Sequence, residues 1–177
     1  MAKIGIFFGT ETGRTRLIAK QIAKKLGDLA AAPLNVAKAQ PEDLLAFDIL
    51  ILGTPTLGDG ELPGLDTGLT QESWAEFLPK IAGLDFTGKL VALYGLGEQL
   101  KYGEHFVSAL KYLHDAFTEA GATLVGRWPV AGYEFNSSAA VEDGHFLGLA
   151  LDQISQPALT AERLDTWLEQ IKASFPA

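Results

Sequence analysis

The sequence predicts an α/β fold: a doubly wound, five-stranded parallel sheet with helices on both faces and the last strand split by an insertion. Three observations predict it. Short apolar runs alternate five times with stretches whose apolar residues recur at helical spacing. Runs such as Ile49-Leu50-Ile51-Leu52 are continuously apolar, as strands covered on both faces require. The fifth run breaks into a polar stretch, about residues 129–145, before it resumes. At 177 residues and 18.9 kDa the chain is expected to form one domain over 1–177.

Ile4 to Phe8 is the first strand, and Ile18, Ile22 and Leu26 form one face of the helix that follows, with Gly27 as its C-cap. Residues 32–36 make a weak second strand, and Pro41-Glu42 opens a short turn or helical piece. Ile49 to Thr54 is the third strand, stopped by Pro55. A long loop runs to Ser73, after which Trp74, Phe77, Leu78 and Ile81 mark a helix. Lys89 to Tyr94 is the fourth strand, and Phe106, Leu110, Leu113 and Phe117 form the next helical stripe. The fifth strand starts at Thr123 and resumes over Phe146 to Leu151; the final helix is capped near Thr160 and buries Leu164, Trp167, Leu168, Ile171 and Phe175.

Composition narrows the chemistry. With no cysteine there are no disulfides and no thiolate-held zinc or iron–sulfur cluster, and Met1 is the one methionine. His105, His114 and His145 lack metal-ligand spacing. The five-residue apolar run after Met1-Ala2-Lys3 is too short for a signal peptide, and no run reaches membrane-spanning length, so the cytoplasm is expected and a membrane is not. Net charge is −8, and between Lys38 and Lys80 there are eight acids and no base. Nucleic acid is a poor partner for such a surface and the basic face of another protein a better one, with ordinary solubilising charge as the plain alternative.

Between the first strand and the first helix stands Gly9-Thr10-Glu11-Thr12-Gly13-Arg14-Thr15. A strand-to-helix turn aims backbone N–H groups and the positive end of a helix dipole at one point, and three hydroxyls add donors, so a monophosphate is the expected ligand. Only three residues separate Gly9 from Gly13, and Arg14 stands where a Walker loop has lysine; the dinucleotide fingerprint G-x-G-x-x-G is absent as well. The same seven residues also suit a turn that merely caps a helix. In an alternating parallel fold the loops after strands one, three and four converge beyond the carboxyl ends of the strands.

Those three loops together resemble the flavodoxins. Gly9 to Thr15 looks like their phosphate loop, Gly53 to Leu62 like their first flavin loop, and Tyr94 to Tyr102 like their second. The split last strand, through Leu149-Ala150-Leu151-Asp152, is similar to that of the long-chain members, and the chain as a whole is similar to flavodoxins that donate electrons to nitrogenase.

The resemblance implies a sheet order of 2-1-3-4-5 and tight, non-covalent FMN. It places Thr10, Glu11, Thr12, Gly13, Arg14 and Thr15 around the phosphate, and Thr54, Pro55, Thr56, Leu57 and Gly60 against one face of the ring. Gly95, Leu96, Gly97, Glu98, Gln99 and Tyr102 take the other face and the pyrimidine edge, and Asp152 the ribityl chain or ring edge. The Gly58-Asp59 peptide is expected to turn over and offer its carbonyl to the reduced flavin.

It further implies a one-electron carrier on the low-potential semiquinone/hydroquinone couple, with no catalytic residue. Such a carrier shuttles electrons from a reductase to an acceptor such as the nitrogenase iron protein, as a monomer in transient complexes. Leu57, where many members have tryptophan, and Glu98, where aspartate is common, depart from the family pattern. A quinone reductase on the same fold is the enzymatic alternative, which the expected stacking of Tyr102 disfavours. A phospho-receiver domain would need acids where Phe8-Gly9-Thr10 and Gly53-Thr54 stand.

Overall fold

A computed structural model describes residues 3–176; Met1, Ala2 and Ala177, including the start inspected for a leader, lie outside them. The main sheet contains β1 (Ile4–Phe8), β2 (Leu34–Asn35), β3 (Ile49–Pro55), β4 (Leu90–Leu96) and β5 (Thr123–Val125), all parallel in the expected order β2-β1-β3-β4-β5. A small antiparallel sheet of β6 (Trp128–Pro129), β7 (Val141–Glu142) and β8 (His145–Phe146) follows. Then β9 (Leu149–Leu151) rejoins the main sheet beside β4, continuing the line of β5. The helices are α1 (Arg14–Leu26), α2 (Trp74–Ile81), α3 (Leu110–Glu119) and α4 (Thr160–Lys172).

Strand residues alternate between two cores. Ile4, Ile6 and Phe8 of β1 and Ile49 and Ile51 of β3 pack on one side with Ile18 and Ile22 of α1 and Leu164 and Trp167 of α4. Phe7, Leu50, Leu52, Val91 and Leu93 pack on the other with Trp74 and Phe77 of α2 and Leu113 and Phe117 of α3. Because both faces are covered, β1 and β3 read as unbroken apolar runs. Among the described residues, no helix is long and apolar enough to cross a membrane.

Four elements differ from expectation. The second strand shrinks to Leu34–Asn35, because the Asn35 side chain accepts the Ala37 N–H and turns the chain into a 3₁₀ piece. Pro55 does not stop β3: it pairs with Leu96 at the strand's last position, where no further N–H is required. Phe106 precedes α3, in a set of turns that keeps its ring in the same core. Thr160 does not cap α4. A 3₁₀ turn at Pro157–Leu159 runs straight into that helix, and the Thr160 hydroxyl is left buried without a partner.

Candidate functional site

Beyond the carboxyl ends of β1, β3 and β4 lie two adjoining cavities of about 280 and 160 Å³. They share Glu11, Thr56, Gly97, Glu98 and Tyr102 as walls, so the three turns singled out in the sequence do meet. Leu57 and Gly58 line the larger space; Thr12, Arg14, Thr15, Pro55 and Leu96 line the smaller.

The phosphate-loop candidate is shaped by its own residues. Thr10 Oγ1 accepts the Gly13 N–H at 2.9 Å, and Gly13, at φ +91, makes the left-handed step into α1 that a Cβ would disfavour. No side chain caps α1 and no acid sits in its first turn, so its N-terminal amides point out unopposed. Thr15 is buried beneath this turn, and its carbonyl accepts the hydroxyl of Tyr94 at 3.0 Å across the sheet. That phenol lies wholly inside the core, and burial pushes its pKa well above the usual range.

The turn after β3 is tight. Leu57 and Glu61 exchange backbone bonds at 2.9 and 2.7 Å, and the Gly60 N–H donates to the Leu57 carbonyl at 3.2 Å. Gly58 at φ +50 and Gly60 at +94 permit it. Thr54 is buried with its hydroxyl on the Pro55 carbonyl, and Thr56 Oγ1 accepts the Ala109 N–H at 3.0 Å. Asp59 and Gly60 face a neighbouring groove that also touches His105 and Lys111. Tyr102 is 54 % exposed and overhangs both cavities.

Eight expected residues are not among the walls of these two cavities: Thr10, Gly13, Thr54, Asp59 and Gly60, described above, and Gly95, Gln99 and Asp152. Gly95 lies within β4, where a side chain would collide with Leu110. Gln99 and Asp152 are buried against each other: the backbone N–H and the Nε2 of Gln99 both donate to Asp152 Oδ2 at 2.9 Å. The Ile154 and Ser155 amides donate to Asp152 Oδ1 at 3.0 and 2.8 Å. Burial alone would raise the Asp152 pKa, but these four donors outweigh it and hold the carboxyl below its ordinary value.

Since the folded pKa is the lower one, the stabilisation is present above about pH 4 and is lost as pH falls through the folded value. Asp152→Asn should therefore cost about 1.5–3 kcal/mol at pH 7. The deficit should shrink near pH 3 when urea unfolding is compared at the two pH values.

The sequence did not single out Thr67, Phe106, Val107, Gln153 or Ile154 as walls, and placed His105 only as an ordinary residue. Val107 is a buried β-branched residue at φ +48, a conformation whose cost of about 1–3 kcal/mol collects at functional sites. No local signal marks it. Ile154 follows Asp152 and is an exposed apolar side chain beside the smaller cavity, which proximity to the end of β9 could have flagged.

The family profile described as flavodoxin matches residues 6–167. A flavodoxin of Klebsiella pneumoniae is 52 % identical over 172 residues, covering 97 % of this chain and 98 % of the relative. Flavodoxin 1 of Escherichia coli K12 is 48 % identical, with 97 % and 93 % covered. Among solved structures, the Fusobacterium nucleatum flavodoxin bound to flavin mononucleotide superposes with a TM-score of 0.88 at 37 % identity, covering 99 % of this chain and all of that one.

Proposed function

The chain belongs to the flavodoxin family, and from that premise we propose that it is a low-potential one-electron carrier that works through one non-covalently bound FMN. The observation that carries this is the meeting of three strand-end turns around two contiguous cavities, one beside an uncapped helix N-terminus and one roofed by Tyr102. The donor set suits the group. Backbone amides and the hydroxyls of Thr12 and Thr15 match a phosphate, and Leu57 and Tyr102 offer an aliphatic and an aromatic wall to a flat ring.

Bound FMN supplies the one-electron chemistry, and the polypeptide sets its conditions. Residues 10–15 hold the phosphate, 54–60 and 95–102 enclose the ring, and Asp152 acts from behind through the Gln99 loop. With glycine at 58, the Gly58–Asp59 peptide would turn over at low conformational cost and would offer its carbonyl to the bound ring. Glu11 and Glu98 line both cavities, so their carboxylates would lie near bound FMN, at its phosphate and at its ring, and would oppose further negative charge on it. That opposition lowers the potential.

The whole of 1–177 acts as one FMN-binding domain, as a cytoplasmic monomer. The acidic surface docks the basic faces of a reductase and of an acceptor such as the nitrogenase iron protein, in transient complexes without nucleic acid or membrane. Anaerobic redox titration of the purified protein tests this reading: one FMN per chain should be reduced in two resolved one-electron steps, the second far below the first. A single two-electron step would reject it. Electron-transfer rates to a basic partner should fall as salt is raised, and rates indifferent to salt would reject the docking surface.

A further inference from the structure

We propose that Gln99 is a positioning residue through which the insertion fixes the loop carrying Gly97, Glu98 and Tyr102. The side chain of Gln99 is only 3 % exposed, and both ends are spent on protein. Its Nε2 donates to Asp152 Oδ2, at the end of β9, and its Oε1 accepts the backbone N–H of Glu134, in the insertion. Asp152 in turn holds the amides of Ile154 and Ser155. One amide side chain thus ties together three segments, two of which, the 97–102 loop and the stretch after Asp152, line the smaller cavity.

The insertion continues along the same segment. The Asn136 and Ser137 amides donate to the Gly103 carbonyl at 2.7 and 2.9 Å, Ser137 Oγ donates to the Glu104 carbonyl at 2.7 Å, and the Ala139 amide donates to Ser108 Oγ at 3.0 Å. The Phe106 ring packs on Tyr133, Phe135 and Phe146 at centroid distances of 5.8, 5.5 and 5.6 Å. Residues 97–109 have little regular secondary structure of their own and contain the left-handed Val107. Such a segment keeps one conformation only if its surroundings over-determine it, and the insertion is what surrounds it. A well-held wall loses less entropy when a ligand arrives, so the clamp should appear in affinity as well as in loop order.

The affinity arm rests on the FMN reading above; the loop-order arm does not. In the full-length protein without FMN, Gln99→Leu should speed amide exchange at least tenfold at Glu134 and over residues 97–103, while β1 and α1 keep wild-type protection. With FMN added, its Kd should rise at least tenfold, and the second midpoint potential should move. Unchanged exchange, or an unchanged Kd, overturns the proposal.

Gln99→Glu separates position from packing. The groups facing that site are Asp152 from β9, Tyr133 and the exposed Glu134 from the insertion, Arg163 from α4 behind Tyr133, and Glu98 on its own loop. Next to the Asp152 carboxylate and out of water, the new carboxyl should stay protonated to unusually high pH, and in that form it can replace both bonds of the amide. Its Kd relative to wild type at the same pH should therefore approach one near pH 5 and rise at least tenfold near pH 8. A ratio independent of pH overturns the clamp, and this series decides the matter if Gln99→Leu does not fold. Failure of the wild-type chain to bind FMN would overturn the functional reading alone, since the exchange comparison stands without ligand.

Discussion

Riboflavin should bind this protein at least about a thousandfold more weakly than FMN. A hydrogen bond to a charged group contributes about 1.5–3 kcal/mol, and a factor of ten is about 1.4 kcal/mol, so three donors lost together exceed that ratio even at the low end. The donors are the amides at the uncapped start of α1 and the hydroxyls of Thr12 and Thr15 at the smaller cavity. Thr10 should count for less as a direct donor, since its hydroxyl oxygen already accepts the Gly13 N–H and shapes the turn. Quenching of flavin fluorescence on titration gives both constants. A ratio under ten would mean that the Gly9–Thr15 turn is a helix start and nothing more, the plainer alternative the sequence left open.

Much of this architecture was legible because it is local. Ile18, Ile22 and Leu26 recur at helical spacing, and all three are buried against one face of the sheet. The same logic misplaced Phe106. Its spacing to Leu110, Leu113 and Phe117 continues the stripe, and its ring does join that core, but an irregular turn can present a residue to the same face as a helix.

The site divides in the same way. Loop positions were readable, because strand ends in a parallel fold fix where loops gather. Side-chain directions were not. Gln99 turns inward because its partners are Asp152, 53 residues away, and Glu134, 35 residues away, and no local pattern encodes either. The insertion read as a polar interruption, whereas Tyr133 and Phe135 within it, with Phe146 just after it, build an aromatic cluster around Phe106.

Gly53→Ala should destabilise the protein by about 2–6 kcal/mol and weaken FMN binding with it. Gly53 lies opposite Tyr94 in the β3–β4 register, and a methyl there would sit inside the Tyr94 ring. The ring is fully buried and cannot swing aside without leaving the Thr15 carbonyl. Nor can the backbone of residue 53 retreat, because its carbonyl accepts both the Gly9 amide at 3.0 Å and the Trp74 indole N–H at 2.8 Å. Overpacking costs about 1–3 kcal/mol, and orphaning a buried hydroxyl and its partner adds about 1–3 more.

Tyr94→Phe isolates the second contribution and should lose only about 1 kcal/mol in urea unfolding. Combining Gly53→Ala with Tyr94→Leu makes room for the methyl, so the pair should be less harmful than the two losses added together. Additive losses, or a Gly53→Ala protein within about 1 kcal/mol of wild type, would show that the ring relaxes freely. In that event Tyr94 would not be what couples the sheet to the first turn of α1. If the coupling holds, the position of the phosphate-binding turn depends on a residue without a side chain in the middle of the sheet, and affinity and stability should fall in step.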